Sequence, residues 1–112
     1  MEAADDKRPT IARIWRGRTT RARADEYEAY NHEVGIKPLI EKALGVQCLR
    51  EDREHETEFV TISWWENVEA MASFTGGDPA QIHHLPRDAE FLIELPERVQ
   101  ILRLRTSHGR TG

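Results

Sequence analysis

The stretch 58–65 constrains this chain more than any other, because it alternates and yet carries apolar residues on both of its sides. Val60, Ile62 and Trp64 point one way, and Phe59, Thr61, Ser63 and Trp65 the other. That period of two belongs to a β-strand. A strand of this kind needs partners over both faces of its sheet, so the arrangement of the remaining elements decides what each face meets.

Residues 10–17 alternate as well, with Ala12 and Ile14 opposed to Ile11, Arg13 and Trp15. After the polar break at Arg18, Thr19 and Thr20, the residues Tyr27, Tyr30, Asn31 and Val34 recur at i, i+3, i+4 and i+7. This spacing predicts a helix of about 14 residues with one inward face. Gly35 is expected to end it. Pro38 then suits the first turn of a shorter helix through Leu39, Ile40, Ala43 and Leu44, with Gly45 as its left-handed cap. Residues 46–52 and 58–65 read as an antiparallel hairpin. Asn67 is placed as an N-cap, and Val68, Met71, Ala72 and Thr75 continue at helical spacing to Gly76 and Gly77. Asp78-Pro79 and Pro86-Arg87-Asp88 each look like the start of one helical turn, the latter carrying Phe91, Leu92 and Ile93. Residues 99–105 alternate as a fourth strand.

The order βαββαβ predicts an α+β domain of ferredoxin-like topology, with a four-stranded antiparallel sheet and both main helices on one face. Val60 and Ile62, with Ala12 and Ile14, have the compact shapes suited to packing under helices. Ile11, Arg13, Trp15, Phe59 and Trp65 are then expected on the uncovered face. An apolar patch of that size calls for a cover, and the economical one is a second copy of the sheet in a two-fold homodimer.

Length and composition narrow the rest. At 112 residues the chain makes one domain, since two halves would each be too small to bury a core. The domain is expected at 10–105, with 1–9 and 106–112 as flexible termini. A net charge of −4, with 16 Lys and Arg interleaved among 20 acids, argues against nucleic acid. Only Arg16, Arg18, Arg21 and Arg23 cluster, as a solvated strand end and first helical turn. No apolar run approaches the roughly 18 residues of a membrane span, and the opening residues lack the pattern of a signal peptide. The chain is therefore expected to be cytoplasmic, with no membrane partner. The single cysteine, Cys48, reads as a buried thiol without a fixed His partner, not as a nucleophile.

With these residues in view, the chain resembles the antibiotic-biosynthesis-monooxygenase-like proteins of the dimeric α/β-barrel superfamily. The likeness rests on the runs 11–17 with Arg13 and Trp15, 57–67 with Phe59, Trp65 and Asn67, and 69–76 with Phe74 and Gly76. It extends through 88–92 and the closing strand. The resemblance implies a dimeric α/β barrel in which each subunit keeps a cavity between its sheet and its helices or loops. Some members oxygenate polycyclic aromatic or polyketide substrates without metal or flavin, and related members degrade haem. Trp65, at the end of the third strand, matches a pocket tryptophan of such relatives. The haem-degrading branch also has an asparagine on the first strand and a histidine about ten residues past the tryptophan. Neither is present here, where the next histidines are His83 and His84.

The candidate catalytic set is His83, His84 and Arg13. The two histidines are the residues of a pocket-side loop able to transfer protons near neutral pH; adjacent positions point apart, so one of them at most enters the cavity, and both suit a surface loop equally. Arg13 has two open roles: steadying an anionic or enolate oxygen with its fork of donors, or bridging the dimer interface to Glu58 or Glu94. Trp65 and Trp15 offer flat walls for an aromatic ligand, or dimer core. Asn31 on the first helix is placed to hydrogen-bond a ligand carbonyl or to cap a nearby backbone group. Phe59 and Ser63, on the same strand face as Trp65, complete the expected substrate-binding set. No third ligand joins the histidines at metal-site spacing. Together with these residues, the resemblance implies cofactor-independent oxygenation of an aromatic or polyketide-like small molecule, with no metal and no cofactor. The alternatives are a non-catalytic small-molecule-binding or stress-response barrel and a haem-binding degradase.

Overall fold

The computed structural model describes residues 8–109. Strand β1 (Ile11–Thr20) leads into an almost unbroken helical path: a 3-10 turn (Arg21–Arg23), α1 (Ala24–Asn31), a π turn (His32–Ile36) and α2 (Lys37–Lys42). Strands β2 (Gly45–Asp52) and β3 (Glu56–Trp65) form the hairpin, followed by α3 (Val68–Thr75), a single turn α4 (Asp88–Phe91) and β4 (Gln100–Arg103). All pairings are antiparallel and the strand order is β2-β3-β1-β4, the split topology expected from the sequence. The expected flexible termini fall mostly outside the described residues; 8–9 and 106–109 are exposed and carry no regular structure.

The helical path corrects one expectation. Gly35 does not end the first helix; the chain passes through it in the π turn, where the Lys37 N–H donates to the His32 carbonyl five residues back. Pro38 supplies the reason, since it has no N–H to return to the Val34 carbonyl and the regular ladder cannot run through it. Gly35 is needed for close approach instead. A side chain there would begin 2.8 Å from Asn31 Oδ1 and 3.0 Å from Leu85 Cδ1. Nor does Gly45 cap α2 in a left-handed conformation: it opens β2, and positive φ is confined to Gly76 and Gly77 among the described residues. At α3 the sequence signals hold, with Asn67 Oδ1 accepting from the Ala70 N–H at 2.8 Å and Gly76 closing the helix at φ 86°. Such a cap is worth about 1 kcal/mol.

The larger correction concerns the two faces of the sheet. Thr57, Phe59, Thr61, Ser63 and Trp65 are the buried members of β3, and they lie under the helices. Register places Ile11, Arg13, Trp15 and Gly17 beside Trp65, Ser63, Thr61 and Phe59, hence on that same face. The opposite set, Ala12, Ile14, Val60, Ile62 and Trp64, lies on the open face with Leu49 and Leu102. Side-chain volume explains the inversion. Phe59 packs with Tyr27 and Phe91 in one core cluster, and Trp65 with Leu39 and Met71 in another. Between these bulky positions β3 carries only Thr61 and Ser63, so the covered face keeps a hollow where Val60 and Ile62 would have filled it.

Cys48 is likewise not the expected buried thiol. It sits exposed on β2, the edge strand farthest from β4. No helix of the described residues is long and apolar enough to cross a membrane.

Candidate functional site

The hollow is a cavity of about 310 Å³ between the sheet, α1, the π turn and the loop after α3. Arg13, Trp15 and Thr61 line it from the strands, Tyr27, Asn31 and Leu39 from the helical path, and His83, Leu85 and Asp88 from the loop. Its lining takes Tyr27 from one core cluster and Leu39 from the other.

Trp15 reaches this wall because Gly17, two residues on and on the same face, has no side chain; a Cβ at Gly17 would overlap the indole ring. Arg13 is partly buried and acts as a clasp for the loop. Its Nε donates to the Pro79 carbonyl at 3.1 Å and its Nη2 to the Gln81 carbonyl at 2.7 Å. Burial lowers its pKa below the ordinary arginine value, and among the described residues no carboxylate lies within salt-bridge distance of it. The loop is pinned at two further points. The Ile93 N–H donates to the Arg18 carbonyl at 2.8 Å, and the Val99 N–H to the Ala80 carbonyl at 3.1 Å.

His83 is part of the cavity lining and His84 is not, although both residues are exposed. His83 Nε2 contacts the Thr75 carbonyl. A carbonyl only accepts, so the neutral ring carries its proton on Nε2 and keeps Nδ1 as the basic nitrogen.

Of the expected ligand-binding set, Trp15 and Asn31 line the cavity with Arg13 and His83, whereas Trp65, Ser63 and Phe59 do not. Trp65 is only 2% exposed; its Nε1 donates to Ser63 Oγ at 2.9 Å and its ring lies 5.4 Å from that of Phe74. It supports the pocket from the core. Phe59 packs edge-on to Tyr27 at 5.3 Å and borders a second hollow of about 480 Å³ between α1 and the β2 edge.

Two ionisable lining residues, Tyr27 and Asp88, were not among the sequence candidates. Tyr27 is fully buried and donates its hydroxyl to Asp88 Oδ1 at 3.1 Å. Burial, then the neighbouring Asp88 charge, pushes the phenol far above its usual range, so it stays a donor. Its position four residues before Asn31, on the same helical face, was the available signal. Asp88 had no such signal, because only folding brings the loop over the sheet.

Three of the four clustered arginines at the other end of β1 are paired internally. Arg18 meets Glu56 at 3.0 Å and Glu94 at 3.5 Å, Arg21 meets Asp52 at 3.7 Å and Arg23 meets Glu26 at 3.4 Å. Among the described residues no three His, Cys, Asp or Glu side chains come together as a metal site.

No protein-family model and no curated protein matches the sequence. Among solved structures, the chain is similar to a proposed antibiotic biosynthesis monooxygenase from Bacillus cereus. The two share 13% identity with a TM-score of 0.64, over 92% of this chain and 100% of that one. With so few identical residues the likeness rests on backbone architecture: this chain shares an α+β, ferredoxin-like fold with that protein.

Proposed function

We propose that this protein is a cofactor-independent monooxygenase acting on an aromatic or polyketide-like small molecule. The observation that carries the reading is the cavity, whose lining brings together His83, an arginine without a carboxylate partner among the described residues, and the aromatic wall of Trp15. The fold shared with the Bacillus cereus protein agrees with it.

In this reaction the substrate supplies the electrons. His83 Nδ1 removes a proton from an acidic C–H, and Arg13 steadies the resulting enolate oxygen through the part of its guanidinium not spent on Pro79 and Gln81. The carbanion passes one electron to dioxygen, and the radical pair combines into a C–O bond, giving a hydroperoxide once protonated. Loss of the second C–H proton and cleavage of the O–O bond then leave a ketone and water. One CH2 group and one O2 become one C=O and one H2O.

The test is oxygen uptake by the metal-stripped protein with anthrone. Uptake above buffer, one O2 per ketone formed, and a fall of about 100-fold or more in His83→Ala supports the reading; a rate equal to buffer refutes it. A binding protein without turnover is the second reading, favoured by the fixed tether of Arg13 to two loop carbonyls. It requires His83→Ala to keep full ligand affinity.

The proposal includes a homodimer. Ile14, Val60, Ile62 and Trp64 line up on the open face, where Leu49 and Leu102 are 51% and 45% exposed. A second copy would cover this face and leave the cavity on the helix side intact.

A further inference from the structure

We propose that Asp88 recognises a hydroxyl group on the ligand. The inference rests on the cavity being the ligand site, as proposed above, and adds the class of molecule it takes.

Asp88 is only 3% exposed, yet it belongs to the cavity lining. Its Oδ1 accepts from the Tyr27 hydroxyl at 3.1 Å and its Oδ2 from the Leu85 N–H at 2.9 Å. A carboxylate has about four acceptor sites, so these two bonds leave half of its capacity unused. Among the described residues no Lys, Arg or His lies within salt-bridge distance. The bond to Leu85 fixes the α4 turn, but a turn of that kind is equally served by a neutral side chain. A buried anion is costly unless donors surround it, and this one lines a cavity. Tyr27 cannot fill the remaining sites, because its single O–H is already spent.

Ligand chemistry follows from the two charged residues that line the same space. Arg13 presents donors without a carboxylate partner, and Asp88 presents acceptors without a cation. Their charges cancel, so the matching ligand is neutral, with an oxygen acceptor for Arg13 and a hydroxyl donor for Asp88. The body between must be apolar to suit Trp15, Leu39 and Leu85. A hydroxylated aromatic ketone has this form.

Binding of 2-hydroxyanthraquinone and its methyl ether, followed by quenching of tryptophan fluorescence near pH 6, tests the assignment without any turnover. The wild-type protein is expected to bind the hydroxy compound at least about tenfold more tightly, as a hydrogen bond to a charged acceptor allows. In Asp88→Asn the preference should fall below about threefold. Tyr27→Phe, which leaves Oδ1 free for the ligand, should keep or increase it; this variant decides the matter if Asp88→Asn does not fold. A full preference in Asp88→Asn, its loss in Tyr27→Phe, or no preference or no binding in the wild type overturns the inference. Failure of the oxygenase reading would look different: the preference would stand, and anthrone would consume no oxygen above buffer.

Discussion

Replacing Gly17 by alanine puts a single methyl group where Trp15 now lies. The new Cβ would sit 2.8 Å from Cζ2 and 3.2 Å from Cζ3 of that indole, and would overlap Cη2. Carbon atoms at rest are about 3.5–4.0 Å apart, so the ring must move by roughly 1 Å. Two terms oppose each other. Gly→Ala in a backbone conformation alanine accepts gains about 0.4–1 kcal/mol from a less flexible unfolded chain, and φ at Gly17 is not positive. Forcing an extra carbon against packed atoms costs about 1–3 kcal/mol. The second term wins here, because Trp15 is fixed to the same strand and packs against the cluster that holds Tyr27, so its ring yields toward the cavity it lines. The net loss should be about 1–2 kcal/mol, or about 4–9 °C in Tm for a domain of 112 residues. Urea unfolding followed by tryptophan fluorescence measures it, at one protein concentration so that any association is held constant. Gly109→Ala, where a Cβ meets nothing within 4 Å, serves as the neutral control. The displaced indole should also occupy ligand space, weakening 2-hydroxyanthraquinone binding. A Gly17→Ala protein as stable as the wild type, with unchanged affinity, would refute the placement of Trp15 as a cavity wall made possible by glycine.

Two further outcomes follow from other parts of the molecule. Ile62→Glu introduces a charge at the centre of the open face, opposite Ile14; burying it unpaired costs several kcal/mol. Sedimentation should therefore show at least a 100-fold weaker dimer with unchanged far-UV dichroism, whereas a wild-type protein that is monomeric in dilute solution would remove the dimer proposal. Glu56 is held below its ordinary pKa of 4.5 first by its hydrogen bond from Arg18, with Arg53 adding to it. A carboxylate depressed in this way stabilises the fold above its unfolded pKa, and that contribution is lost as pH falls through the folded value. Wild-type urea midpoints should fall more steeply below pH 4.5 than those of Glu56→Gln; parallel curves would show that the pair is energetically silent.

Periodicity in the sequence was enough to determine the elements, their order and hence the split topology, because alternation, helical spacing, the Asn67 cap and the Gly76 stop are local properties of the chain. It also named Arg13, Trp15 and Asn31, which line the cavity, among its candidates, and limited the histidine pair to one inward member. Which face of the sheet the helices cover was beyond it. A strand apolar on both sides satisfies a period of two in either orientation, and the shapes of Val60 and Ile62 favoured the wrong one. Only the packed structure decides, since Phe59 and Trp65 must meet the helices at the two ends of β3 while Thr61 and Ser63 leave the space between them. The same holds for Asp88 and Tyr27, separated by 61 positions. Their hydrogen bond, and the cavity wall they build together, exist only once the loop has been drawn over the sheet by Arg13.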